Sequence, residues 1–247
     1  MIFRESQGGV AMRAIAVVAL VLAMSSTAFA GPQSTIGGKR LKSEVVHNTG
    51  VGWPSLFYEW WNKGQGNLDW ALGAELVYGD WSGAYSDVSA GLAFNAPLRW
   101  HIHNRKHAKA TTDVGIRFTP GAMVGGSDRR AVPPTGVPPV GPPPDQRVMG
   151  GLRTELAVPI SIDVHDRVSV VTGATIPFSL MFARDTDPWG IIPILVRMGV
   201  EINAAPKVAP FFLFELGPAI GIGNGTSDVD FAFRVWVGTA FWSVLRK

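Results

Sequence analysis

From Val88 onward every second residue is apolar: Val88, Ala90, Leu92, Phe94, Ala96, Leu98, Trp100, Ile102. The positions between them, Ser89, Gly91, Ala93, Asn95, Pro97, Arg99 and His101, are small or polar. After His103-Asn104-Arg105-Lys106-His107 the pattern resumes with Ala110, Thr112, Val114, Ile116, Phe118, Pro120, Ala122 and Val124 set against Thr111, Asp113, Gly115, Arg117, Thr119 and Gly121. A strict period of two predicts β-strand. Runs of about fifteen residues exceed the five or six usual in soluble sheets. One apolar face, opposite a face of small residues with an occasional Arg or Asp, is what a membrane-spanning barrel strand requires.

The rest of the chain repeats this design. Residues 51–61 are strand-like and aromatic, with Pro54 predicting a bend or bulge. Residues 68–79, 148–163, 168–183, 189–203, 208–222 and 229–244 each alternate, and Asn62 to Asn67, Asp163 to Arg167, Arg184 to Pro188 and Ala204 to Lys207 read as turns. These are nine clear strands. A closed antiparallel barrel wants an even number, so a tenth is expected from residues 39–48, or else 51–61 is not a full span. The expected fold is all-β: a closed, antiparallel, up-and-down transmembrane β-barrel of 8–10 strands, with ten favoured. Short turns collect at one end; the loops 80–86, 125–147, 184–188 and 223–228 collect at the other, the asymmetry of outer-membrane barrels. Segment 125–147 is Pro-rich and cannot join a ladder.

Residues 1–30 have the layout of a secretory signal: Arg13, an apolar stretch from Ala14 to Met24, and Ala28-Phe29-Ala30 before Gly31. Met12 opens a more ordinary signal than Met1 does. The apolar run is too short for a spanning helix. Residues 31–50 are expected to be an N-terminal linker or a weak first strand, and residues 51–247 the barrel.

Composition narrows the function classes. The chain has no cysteine, which excludes disulfide scaffolds and thiolate metal sites. Its net charge of +3, from 22 Lys and Arg against 19 Asp and Glu, is too weak and scattered for nucleic acid. The charges that matter sit on the small-residue face: Glu59, Asp69, Glu75, Arg99, Asp113, Arg117, Arg153, Glu155, Arg197, Glu201, Glu215 and Arg234. These are seven acids and five arginines without a lysine. Arginine grips a carboxylate with two hydrogen bonds where lysine cannot. A lumen plugged by ion pairs is expected, with Arg117, Arg153 and Arg197 set among Asp113, Glu155 and Glu201; the alternative for the same residues is a charged, water-filled pore. The lumen-facing Gly91 and Gly115 are expected to tolerate serine.

Over residues 51–245 the chain resembles the bacterial outer-membrane β-barrel proteins, porins and small barrels among them. The resemblance is one of architecture, carried by the signal, the alternating strands, the loop asymmetry and interface-placed aromatics such as Trp53, Trp60, Tyr78, Trp100 and Trp189. It implies a Gram-negative cell envelope, outer-membrane lipid around the apolar wall, and the barrel-assembly machinery as a folding partner. That machinery commonly reads a terminal aromatic; here Phe241 and Trp242 are followed by five more residues.

Candidate chemistry is sparse. His101, His103 and His107 lie around one turn, but Arg105 and Lys106 oppose a cation there. With His165, they fall at the short-turn end, away from the outer leaflet where a lipid-modifying barrel enzyme would act. Gly221-Ile222-Gly223-Asn224-Gly225 precedes no helix and reads as a hairpin rather than a phosphate loop. Asp185 and Asp187 are too few for a calcium loop. No catalytic, cofactor-binding or metal residues are assigned and no cofactor is expected. The expected function is a non-enzymatic outer-membrane barrel of structural or narrow-channel type. The alternatives are a lipid-modifying barrel enzyme and a soluble exported barrel that binds an apolar ligand.

Overall fold

The computed structural model describes residues 35–78, 88–106, 110–127, 147–183, 187–223 and 226–242. The segment read as a signal, residues 1–30, and most of the loops 80–86 and 125–147 lie outside them. The described chain is a single antiparallel sheet closed on itself. Its elements are β1 (Val45–Trp53), β2 (Ser55–Lys63), β3 (Leu68–Val77), β4 (Val88–Asn95), β5 (Leu98–Lys106), β6 (Thr111–Ser127), β7 (Arg147–His165), β8 (Val168–Ala183), β9 (Trp189–Pro193), β10 (Leu195–Ile202), β11 (Val208–Gly223) and β12 (Thr226–Phe241). Apart from β4–β5 and β9–β10, neighbours in sequence pair in space, and β12 closes the barrel on β1 with Val237 opposite Val51 and Phe241 opposite His47.

Twelve segments make ten crossings. β4 and β5 are one staircase of the wall broken at Ala96-Pro97; both pair with β3 on one side and β6 on the other. Proline has no N–H to give the ladder, yet its carbonyl still accepts from Ala71 N at 2.8 Å. β9 and β10 are likewise one crossing, interrupted at Pro193-Ile194 and spliced by Ile194 N to Pro218 O at 2.8 Å. The strands expected over 88–102 and 189–203 are therefore each divided by a proline without losing face or register.

The tenth crossing arises differently from either expectation. Residues 51–61 are not one strand with a bend: the chain reverses at Pro54, and Val51 faces Leu56 across the resulting hairpin. The first strand thus takes its residues from both sides of the expected boundary at position 50. At the other end the turn expected at 103–107 starts later, because β5 continues to Lys106 through a bulge between His101 and His103. The Pro-rich segment also yields its flanks to the sheet, with Gly125 opposite Met149 and Ser127 opposite Arg147. Of the Gly221–Gly225 run, Gly221 to Gly223 end β11, with Gly223 opposite Thr226 of β12, while 224 and 225 lie outside the described residues.

Alternation sorts the side chains as the sequence predicts. Leu72, Leu92, Phe94, Val124, Leu152, Val196 and Phe231 stand outward, each at least half exposed. In water such a continuous apolar wall would be an aggregation surface; in a bilayer it is the solvated face. Trp53, Trp60, Tyr78 and Trp100 also face out. Trp189 does not: it is buried inside the barrel, on the face of β9 that packs against Met181.

Candidate functional site

The lumen is filled in three layers. At the end where β1 begins and β12 stops, residues 35–41 dip into the barrel. Thr35, Ile36 and Leu41 are almost wholly buried, and so is Lys39. This stretch carries no strand periodicity, and a chain entering a confined space must find partners for its backbone. The wall supplies them. Thr35 N donates to Glu201 Oε1 at 3.2 Å, Gly38 N to Ser161 Oγ at 2.9 Å and Leu41 N to Asp69 Oδ2 at 3.0 Å. Arg197 Nη1 donates to Ile36 O at 3.2 Å and Arg99 Nη1 to Gly37 O at 3.0 Å. The His101 ring bridges Gly38 O and Asp69 Oδ2, with 2.9 Å at each nitrogen. Lys39 Nζ forms an ion pair with Asp163 and donates to Ser169 Oγ at 2.7 Å.

Two fits fix the depth of this segment. The Ile36 side chain seats among Val171, Phe211, Leu213 and Trp236 on the barrel wall. Gly38 presses against β6 and β7 so closely that a Cβ there would lie 2.5 Å from Pro159 O and 2.7 Å from Asp113 O. Gly115 returns the contact, since a Cβ on it would come 3.3 Å from Gly38 O. The linker or weak first strand expected at 31–50 is thus, over its described part, an inserted segment followed by the start of β1.

Above it lies the charge network. Glu59 accepts from Arg117 Nη2 at 2.5 Å, Asn48 Nδ2 at 3.0 Å and Trp61 Nε1 at 2.8 Å. Arg153 Nη1 donates to Glu75 Oε2 at 2.8 Å. Arg197 Nε donates to Glu215 Oε1 and Arg234 Nε to Glu215 Oε2, both at 2.6 Å. Glu155 is held by two nitrogens of Arg234 at 3.0 Å and lies 3.6 Å from Arg197 Nη2. Asp69 takes Arg99 Nη2 at 3.1 Å. Removing such carboxylates from water is costly unless each finds a cation and further donors, and forked guanidiniums supply both. Three also lie over tryptophan rings: Arg99 and Arg117 at 4.7 and 5.4 Å from the Trp61 ring and Arg234 at 5.0 Å from Trp236.

All twelve charges singled out from sequence stand on lumen-side positions, but the pairing differs from the expected one. Arg117 goes to Glu59 on β2 and Arg153 to Glu75 on β3, both across the interior. Arg197 does take Glu155, and shares Glu215 with Arg234. Glu201 turns to the backbone of Thr35. Asp113 lies toward the rim, accepting from Asn104 Nδ2. The cause is curvature: in a narrow closed barrel, long side chains from opposite walls meet sooner than those spaced along one strand.

Between Ile36 and the network a cavity of about 90 Å³ remains, bordered by Asn48, Asn95, Arg117, Arg153 and Glu155. Water occupies roughly 30 Å³ per molecule in the liquid, so the space suits a few waters. The third layer, toward the loop end, is apolar: Val77, Ala93, Met123, Met149, Met181 and Trp189 pack together inside the barrel. Met123, Gly151, Met181 and Trp189 are opposite one another on successive strands. Gly151 is what admits the flexible thioethers, Met181 Sδ occupying the place of its missing side chain.

Sequence reading missed the inserted segment. Its one local sign is Gly37-Gly38 set between Ile36 and Lys39 just ahead of the first strand, and nothing in a periodicity argument points such a motif inward. Of the histidines, His101 is committed to Asp69 and Gly38, whereas His103 beyond the bulge is exposed and His107 lies outside the described residues. Among the described residues no group of three or more His, Cys, Asp or Glu is disposed to hold a metal ion.

A closed antiparallel barrel of ten crossings, with an apolar exterior and a charged interior, has the architecture of outer-membrane barrels. No family model matches the chain. No curated protein matches it either. Among solved structures, the outer membrane protease OmpT from Escherichia coli aligns with 80% of this chain and 92% of its own, at 9% identity and a TM-score of 0.32. At that score the likeness carries no weight for function.

Proposed function

We propose that the protein is a non-enzymatic barrel of the outer membrane, exported by way of the signal in residues 1–30 and held closed by its own N-terminal segment. The observation that carries this reading is the filling of the lumen: an inserted backbone, an ion-paired middle and an apolar upper layer occupy the path a solute would take. The apolar wall supports a lipid environment. β12 ends on Phe241, which faces outward and stacks on His47 with ring centroids 5.1 Å apart, and this supports recognition of the last strand by the barrel-assembly machinery. The non-enzymatic part rests on the use of the lumen side chains, which hold one another and the inserted segment.

Membrane fractionation with a heat-modifiability gel tests the location, and planar-bilayer recording tests the seal. Wild-type protein is expected in the detergent-soluble membrane fraction with little steady conductance, and removal of residues 35–42 is expected to raise it. Protein that stays soluble without detergent would sink the membrane reading. A large wild-type conductance would sink the seal.

A further inference from the structure

The inserted segment is held as a peptide is held in a binding groove. The wall meets three of its backbone N–H groups with Glu201, Ser161 and Asp69, and three of its carbonyls with Arg197, Arg99 and His101. Main-chain recognition of this kind supplies affinity without naming a sequence. The sequence is read elsewhere. The first selective position is the apolar slot filled by Ile36, between Phe211 and Trp236. The second is Gly38, where backbone oxygens of Pro159 and Asp113 leave no room for a side chain. The third is the buried lysine position, where Asp163 and Ser169 receive an ammonium.

These partners belong to β3, β5, β6, β7, β8, β10, β11 and β12, and none is contributed by the segment itself. The receptor is thus built by the barrel, and the ligand reaches it by a short tether from β1. A tether raises the effective concentration to the millimolar range without adding contacts, so recognition does not depend on covalent linkage.

We propose that this end of the lumen is a peptide-binding site selective for a short basic segment of the pattern apolar–Gly–Gly–Lys, with residues 35–41 as its tethered ligand. A free peptide of the same pattern, from a second protein on that side of the membrane, would bind the same seat whenever the tethered copy is displaced. The proposal rests on the reading of residues 35–41 as the lumen seal, but its test reads peptide binding and not conductance.

The experiment uses the full chain carrying Gly38→Val, which cannot seat its own segment, alongside a chain lacking residues 35–42. Each is folded in detergent micelles and checked by heat-modifiability. A fluorescent peptide Thr-Ile-Gly-Gly-Lys-Arg-Leu is titrated and followed by anisotropy. Saturable binding is expected to both variants, with wild-type protein at least tenfold weaker because its seat is taken. Peptides with Val at the second Gly or Glu in place of Lys are expected to lose at least tenfold. Absence of binding to both heat-modifiable variants, or equal binding of all three peptides, would overturn the proposal. Neither outcome bears on whether the wild-type barrel conducts, which the bilayer recording decides separately.

Discussion

Glu215 stands directly opposite Arg197 in the sheet and accepts its Nε at 2.6 Å, while its second oxygen is taken by Arg234 on the other neighbouring strand. One buried carboxylate therefore ties three strands together near the middle of the barrel, and two guanidiniums depend on it. Replacing it by Gln leaves the geometry but removes the charge both arginines face. Breaking one side of a buried ion pair costs about 3–5 kcal/mol. Glu215→Gln should lower the free energy of unfolding by that amount, and the urea midpoint with it, whereas Asp113→Asn at the rim should cost no more than about 1 kcal/mol. Tryptophan fluorescence during unfolding from micelles reads both, and equal losses would contradict the buried network.

Arg117 reaches across the interior to Glu59, which is also held by Asn48 and Trp61. Arg117→Glu would set two carboxylates against each other in a confined, mostly buried space. The expected outcome is loss of the heat-modifiable species, or a fall in stability of at least about 3 kcal/mol, without any change in ion selectivity. A folded variant whose bilayer currents reverse their selectivity would mean that these arginines line an open pore.

Leu156 lies on the outer wall, nearly half exposed, at the middle of β7. Arginine at the bilayer midplane costs about 2–4 kcal/mol in barrels of this kind and nearly nothing at the interface. Leu156→Arg, at the middle of β7, should therefore impair assembly into liposomes, while Val148→Arg, at the loop end of the same strand, should be mild. Matching penalties at both sites would place the outer wall outside the bilayer.

Gly115 is the position where sequence and structure lead to opposite expectations. Read from alternation alone it is a lumen glycine that serine could replace. In the structure a Cβ there would approach Trp100 O on β5 to 3.2 Å, Gly38 O to 3.3 Å and Gly38 Cα to 3.4 Å. Gly115→Val should leave the barrel heat-modifiable but push the segment from its seat, and bilayer recordings should then show raised conductance. Conductance unchanged from wild type, in a folded variant, would mean that the segment seats without this contact.

Much of the fold was legible in the sequence, because a strand's two faces are fixed by a period of two and need no knowledge of its neighbours. Leu92 faces out and Arg99 faces in whatever the barrel's width. Alternation marked nine strands, and the even number that a closed antiparallel barrel requires called for the tenth. The prolines at 54, 97 and 193 are visible in the sequence, but whether each one reverses, interrupts or merely bends a strand depends on the hydrogen bonds its neighbours can still make. Pro54 became a reversal, whereas Pro97 and Pro193 sit at breaks that adjacent strands splice.

The contents of the lumen lie beyond what alternation can specify. The sequence determined that acids and arginines would be enclosed together in nearly equal number, which requires pairing. Which pairs form was decided by closure, which brings β6 within reach of β2 and β7 within reach of β3 and β12. Trp189 was assigned to the membrane interface by its chemistry, and closure turned it inward against Met181. Residues 35–41 have no periodicity to place them, because their partners are backbone and side-chain groups gathered from strands up to 166 residues away. Only the closed wall brings Glu201, Asp69 and His101 around one glycine-rich turn, so the seat of this segment exists as a property of the tertiary structure.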